Sequence, residues 1–291
     1  MSEIATNFST PSVDRRGFLL GSASASLLAA SSGALVGSAQ ARNWRGTVGC
    51  IKPRAGDGSL GELFKLLPEG IGIAVTYLNL AEGTREELSS AFGTYEKNIA
   101  YLASQHCDLI TIEGAPPFMI LGHEGEAKMV DDWRQKYKVD MFTSSQNQVD
   151  VLKAMNLKKI FGIAPFGEDL RKTYAKYFED AGIGVVAMES IDVAFADIPN
   201  LPAQDVYALI KKKFLANPGA DAIYILGSSM DTLSVVAALE QDLGVPVIQP
   251  TAARAWDIQR HLHVRQPVKG YGVLMETLPG LISKDLALQS R

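Results

Sequence analysis

Two short apolar runs, Thr47–Ile51 and Asp108–Ile112, end on residues of opposite charge, Lys52 and Glu113. A lysine and a carboxylate facing each other across a dry cleft can have their pKa values drawn toward neutrality, which suits proton transfer. The same two residues can equally brace the strand ends as a salt bridge. Arg54 and Arg254 offer guanidinium forks for a substrate carboxylate, or are solvated loop arginines. Four segments that follow apolar runs carry the remaining candidates: Lys52-Pro53-Arg54, Glu113-Gly114-Ala115-Pro116-Pro117, Ala164-Pro165-Phe166-Gly167 and Gly227-Ser228-Ser229. Ser228 and Ser229, with the backbone N–H groups of their turn, belong to an anion cleft made of backbone. Ser144–Asn147 and Thr251–Arg254 begin helices whose free N–H groups can hold a carboxylate.

Other reactive residue types lead nowhere comparable. Cys50 lies within its run, two residues short of Lys52, and Cys107 precedes the next run, so both read as small core or edge residues. His261 and His263 read as structural or solvated, so no metal site is expected. His123, in the loop after the first glycine turn, is a further candidate acid. Lys158-Lys159 and Lys211-Lys212-Lys213 read as solvated faces. Gly70-Ile71-Gly72 and Gly182-Ile183-Gly184 lack the third glycine of a dinucleotide fingerprint and begin strands, so no such cofactor is expected.

The elements that must position these residues follow a βαβ rhythm. Strands are expected at Thr47–Ile51, Ile71–Val75 and Asp108–Ile112, with a helix over Arg85–Gln105. The second half repeats the pattern with Ile160–Ala164, Gly184–Met188 and Ala222–Leu226, and helices over Glu168–Ala181 and Ala203–Ala216. Asp108–Ala115 overlays Asp221–Ser228 at a shift of 113, and the same shift carries Gly49 onto Gly162. The next strands, near Val139–Phe142 and Val245–Ile248, match at a shift of 106. The expected fold is α/β with two pseudo-symmetric lobes, each a four-stranded, mostly parallel sheet flanked by helices. The expected cleft lies between them, outside the carboxyl ends of the strands. Lobe 1 is expected over 46–138 plus 266–285, and lobe 2 over 139–265.

The 291 residues, 47% hydrophobic and 21% charged, are enough to bury a core and argue against disorder. With 28 Lys+Arg against 32 Asp+Glu and no large basic block, no field exists to hold a phosphate backbone, so nucleic acid is not an expected partner. Two cysteines are too few for a disulfide scaffold. Arg15-Arg16 stands just before an uncharged apolar stretch that ends in Ala39-Gln40-Ala41. This reads as a twin-arginine leader over 1–41, cleaved after Ala41, with a periplasmic destination. The stretch is too weakly apolar for a good anchor, so no membrane association is expected after cleavage.

Gly227-Ser228-Ser229-Met230-Asp231-Thr232-Leu233, then Leu243–Ile248 and Ala255-Trp256-Asp257, together with the strand ending at Glu113-Gly114-Ala115, resemble the aspartate/glutamate racemase superfamily. The branch they look like is that of the arylmalonate decarboxylases and maleate isomerases, over roughly Val48 to Met275. The resemblance implies the duplicated architecture and no metal, flavin or pyridoxal cofactor. It also implies a planar carbanion or enediolate, or thiolate addition to a double bond, served by one or two cysteines at strand ends. The departures matter as much. The first-lobe catalytic position falls at or beside Gly114; arylmalonate decarboxylases also have glycine there, followed by two hydroxyl residues in a dioxyanion pocket, where Ala115 and Pro116 stand here. The second-lobe cysteine falls on Gly227, the tyrosine after the first strand of lobe 2 falls on Phe166, and the resemblance places Ser228 and Ser229, with their backbone N–H groups, in the turn that forms the family's oxyanion hole. Lys52 stands where racemases carry an acidic residue. Two-thiol racemase chemistry is therefore not expected.

The function expected from these residues is a cofactor-independent, decarboxylase-like carbon–carbon lyase acting on a carboxylate or aryl acid through an enolate-type intermediate. Lys52, Glu113 and Ser228 are its candidate catalytic groups; Arg54, Gly114, Ala115, Pro116, Phe166, Gly227, Ser229 and Arg254 are its candidate binding groups. An isomerase or racemase of a small organic acid, and an exported binding protein that keeps the cleft without catalysis, are the alternatives. The expected partner is a small organic acid, with homo-oligomer formation left open.

Overall fold

Strands buried on both faces read as continuous apolar runs, the pattern of parallel sheets covered by helices, and two such sheets organise the chain. The computed structural model describes residues 43–281 apart from Asp57, Asp192, Ala194, Ser228 and Ser229. The expected leader at 1–41 lies outside the described residues. The first half runs β1 (Gly46–Lys52), α1 (Ser59–Leu66), β2 (Ile71–Tyr77), α2 (Arg85–Ser90), α3 (Phe92–Ser104), β3 (Leu109–Ile112), α4 (Ala115–Leu121), α5 (His123–Tyr137), β4 (Asp140–Thr143) and α6 (Ser144–Ala154). The second runs β5 (Lys159–Ala164), α7 (Glu168–Asp180), β6 (Gly184–Ser190), α8 (Ala203–Ala216), β7 (Ala222–Ile225), α9 (Val236–Leu243), β8 (Val247–Ile248), α10 (Pro250–His261) and α11 (Val273–Thr277). The sheets have orders β2-β1-β3-β4 and β6-β5-β7-β8, all parallel. The helix expected over Arg85–Gln105 is two helices, because the Ala91 N–H bonds the Leu88 carbonyl, three residues back instead of four, and ends α2.

The duplication holds, with one correction. Met141 pairs with Ile110 as Val247 pairs with Ile223, which reproduces the shifts of 106 and 113. Val48, however, pairs with Leu109 as Ile160 pairs with Ala222, a shift of 112 between β1 and β5. Gly49 and Gly162 are therefore not equivalent: a Cβ on Gly49 would strike Leu102, while one on Gly162 would strike Met188 on the other face. A one-residue slip turns a side chain to the opposite face of a sheet, and matching glycine to glycine made that slip.

Outer faces carry separate cores. Ile51, Ile110 and Ile112 pack with Tyr95, Ile99 and Trp133 from α3 and α5; Phe161, Ile163 and Ile223 pack with Val206, Ile210 and Leu239 from α8 and α9. The inner faces share one core, in which Val48 and Leu109 of the first sheet join Ile160 and Tyr224 of the second through Leu152, Ala253 and Trp256 of α6 and α10. Helix α10 is buried on every side from Pro250 to Gln259 and packs against α1 and α6. The two lobes interlock more than the expected boundaries suggest. Strand β4 belongs to the first sheet, although the boundary at 139 assigns it to lobe 2. The described part of 266–285 bonds to second-half helices: the Val273 N–H donates to Glu240, and the Trp256 indole to the Pro279 carbonyl. No helix among the described residues is long and apolar enough to cross a membrane.

Candidate active site

The carboxyl ends of the central strands meet over a cavity, partly open to solvent, in which the centres of water-sized groups can range over about 60 Å³. After β1 come Pro53 and Arg54, after β3 the turn Gly114–Pro117, after β5 Pro165 and Phe166, and after β7 Leu226 and Gly227. Helix starts complete the wall, with Ser144 and Gln148 from α6 and Pro250 from α10. Of the residues expected from sequence, Arg54, Gly114, Ala115, Pro116, Phe166 and Gly227 line this cavity. Ser228 and Ser229 lie outside the described residues. Arg54 is the one ionisable side chain among the described residues of the lining.

Local chemistry explains the wall. Gly114 is left-handed, with φ 92° and ψ 76°, a conformation favoured by glycine. It turns the chain from β3 into α4, whose first turn holds Pro116 and Pro117. Proline is tolerated there because those N–H groups would be unpaired, but it also leaves that turn short of donors. The Phe166 ring packs edge-on to Tyr174, centroids 5.5 Å apart.

Lys52 and Glu113 do meet, as strand adjacency suggests, but beneath the cavity and not in its wall. Lys52 Nζ lies 3.1 Å from Glu113 Oε2, and Arg254 Nη1 lies 2.7 Å from Glu113 Oε1. All three side chains are at most 2% exposed, and Lys52 also donates to the Ser59 hydroxyl. Arg254, expected to hold substrate, is thus the third member of a buried ion triad joining β1, β3 and α10. The reason is α10 itself, which enters the core between the sheets and brings its guanidinium to the strand ends from inside.

Two further buried carboxylates, invisible in the sequence, fix the helix starts. Glu62 of α1 accepts from the Leu233 N–H at 3.2 Å and from Gln249 Nε2 and Thr251 Oγ1, each at 3.0 Å. It ties the loop after β7 to the start of α10. Glu126 of α5 accepts from the hydroxyls of Thr143, Ser145 and Tyr177, so it ties the start of α6 to α7. Thr143 and Ser145 correspond to Gln249 and Thr251 at the shift of 106. Burial raises both carboxyls, that of Glu126 from 4.5 to about 7. Between those two pH values the unfolded chain releases the Glu126 proton while the folded chain keeps it, so stability falls as pH climbs through that range. Urea unfolding from pH 5 to 8 should show this fall, and Glu126→Gln should shrink it by one proton's worth while sparing stability at the acid end. An unchanged slope in that variant would contradict the assignment.

The remaining candidates sit elsewhere. His123 starts α5 and packs edge-on to Tyr177, centroids 5.6 Å apart, beside a separate outer cavity with Arg134, Lys153 and Arg260. The His261 ring stacks on Phe142 and its Nδ1 lies 2.6 Å from Asp140; no cluster suited to a metal occurs among the described residues. Cys50 is fully buried and Cys107 is 6% exposed, and neither lines the cleft. Burial, with the Glu113 charge second, pushes the Cys50 thiol up to about 11. A thiol reagent should therefore leave both cysteines unmodified in the native protein and label both in urea. Rapid native labelling accompanied by loss of ligand binding would overturn that placement.

Comparisons with known proteins bear on this geometry. The family model for arylmalonate decarboxylase matches residues 48–275. A maleate isomerase of Geobacillus stearothermophilus is 25% identical over 199 residues, 66% of this chain and 78% of its own length. The arylmalonate decarboxylase of Bordetella bronchiseptica is 20% identical over 215 residues, 74% of this chain and 89% of its own length. Among solved structures, a cysteine-to-serine variant of the Nocardia farcinica maleate cis-trans isomerase, with a covalently bound succinylcysteine intermediate, superposes with a TM-score of 0.73 at 19% identity. That alignment covers 79% of this chain and 97% of that one. The last likeness carries the two-lobed fold.

Proposed function

Because the chain belongs to the arylmalonate decarboxylase family, we propose that it is a cofactor-independent carbon–carbon lyase of the decarboxylase type. Its substrate is a small organic acid, aryl-bearing or of malonate type, with two carboxylates on one carbon, and the reaction passes through an enolate-type intermediate. The observation that carries the reading is the wall of the cavity, apolar apart from Arg54, Ser144 and Gln148 among the described side chains, with no thiol.

Decarboxylation asks little of titrating side chains. The bond between the α-carbon and the leaving carboxylate breaks, CO2 departs, and the electron pair spreads onto the retained carboxylate as an enediolate, which takes one proton from water at the α-carbon. An apolar wall strips water from the leaving group, and fixed donors hold the charge that develops. Isomerisation by thiolate addition needs a nucleophile such as the succinylcysteine of the Nocardia enzyme implies, and neither cysteine of this chain lines the cavity. The wall therefore favours the lyase over an isomerase.

The test is release of CO2 and phenylacetate from phenylmalonate, with one deuterium entering the α-carbon in D2O. Tight binding of aryl and alkyl acids with no product would replace the lyase by a non-catalytic binding protein. The proposal includes export by the twin-arginine route, supported by Arg15-Arg16 and Ala39-Gln40-Ala41. Arg15→Lys/Arg16→Lys should leave the protein unprocessed in the cytoplasm. Normal processing of that double variant would count against the route.

A further inference from the structure

Gln148 is 1% exposed and lines the cleft cavity. Among the described residues its amide makes no hydrogen bond, and Oε1 is sealed without a partner. Nε2, with no partner among the described residues, is the donor left for an acceptor that enters the cavity, whereas Oε1, an acceptor itself, stays sealed from any ligand and costs the folded state. Ser144 stands four residues earlier on the same stripe of α6. It also lines the cavity, and its hydroxyl has only a 3.5 Å contact with the Ile112 carbonyl. The start of α6, an eleven-residue helix, thus faces the cavity with the positive end of its dipole. The opposing turn cannot do the same work, since α4 begins Ala115-Pro116-Pro117, with no hydroxyl and two residues lacking an N–H.

We propose that Gln148 and Ser144 hold the carboxylate the substrate retains, so that α6 supplies the anchor that the α4 turn lacks. Gln148 Nε2 and the Ser144 hydroxyl donate one hydrogen bond each to its two oxygens. The choice of the retained carboxylate rests on the lyase reading above. As the carbon–carbon bond breaks, negative charge grows on these oxygens and both hydrogen bonds strengthen. Removing the amide should then lower kcat more than it raises KM.

Gln148→Leu keeps the bulk and removes the polar group. Its ligand-free melting temperature should rise by about 2–4 °C, as expected when an unpaired buried group is relieved in a domain of this size. Its affinity for phenylacetate, which carries only the retained carboxylate, should fall by about 10- to 100-fold in calorimetric titration. Ser144→Ala should weaken phenylacetate in the same direction with melting unchanged. Undiminished binding in both variants overturns the proposal, as does a Gln148→Leu protein that melts lower than wild type, which would make the amide structural. Wild-type protein that binds neither phenylacetate nor phenylmalonate also overturns it. Wild-type protein that binds phenylacetate through Gln148 but releases no CO2 from phenylmalonate refutes the lyase reading and leaves the anchor standing.

Discussion

Glu113→Gln should cost about 3–5 kcal/mol of unfolding free energy, the range seen when one partner of a buried ion pair is removed. The carboxylate lies between Lys52 and Arg254, and each of the three side chains is sealed from solvent. Without it the two cations face each other's charge in a medium of low dielectric, where neither can be rehydrated. Replacing all three with apolar residues of similar volume should recover most of the loss, because the desolvation cost disappears with the charges. Urea unfolding of the single and triple variants measures both effects. In the folded fraction of Glu113→Gln, turnover should stay near normal, since the carboxylate does not reach the cavity. A variant with wild-type stability and a 10²- to 10⁴-fold fall in kcat, the usual range for general acid–base catalysis, would restore Lys52 and Glu113 as a proton-transfer pair.

The second large effect is expected at Gly114. A Cβ there would lie 2.6 Å from the Tyr95 hydroxyl oxygen and 3.1 Å from Pro53 Cγ. Tyr95 cannot withdraw freely, because its hydroxyl donates to the Glu113 carbonyl at 2.8 Å and its ring is fully buried. Pro53 lines the cavity. Gly114→Ala must therefore displace the turn itself, and a shift of about 1 Å in a reacting site can cost about 10²-fold in rate. Gly227→Ala is the matched control. Its Cβ would meet Met230 at 3.6 Å, ordinary contact, leaving only the strain of a φ of 113°, about 1–3 kcal/mol. Steady-state kinetics on phenylmalonate and thermal melts of the two variants separate collision from strain. Equal losses in both would remove the steric argument at Gly114.

Much of this architecture can be read from the chain because parallel strands sealed on both faces leave uninterrupted apolar runs, and amphipathic helices alternate with them. The shift of 106 between β4 and β8 survives at residue level, whereas the β1 to β5 match fails by one residue, where pairing on two glycines overrode the facing of their neighbours. The cleft turns are legible for a topological reason, since ligands gather outside the carboxyl ends of parallel strands. Depth is not legible. Lys52 and Glu113 are found together because β1 and β3 pair, but what buries them is α10, whose Arg254, Asp257 and Gln259 give it the composition of a surface helix. Gln148 escapes notice for a related reason: four residues into α6 and just past the Ser144–Asn147 stretch, it is singled out only by a cavity that shows its amide without a partner.

The place of α10 also governs when the molecule can become itself. Strand β4 ends at Thr143, yet the helix that enters the core shared by both sheets begins only at Pro250. A chain emerging from the ribosome thus completes its first sheet, with α1 and α6 beside it, long before the last part of the cover for that sheet's inner face exists, and Glu113 waits just as long for its second cation. Full closure of the first lobe's inner face should therefore come only when nearly the whole protein has been synthesised. Premature termination before α10 would leave part of both inner faces uncovered, a species expected to aggregate.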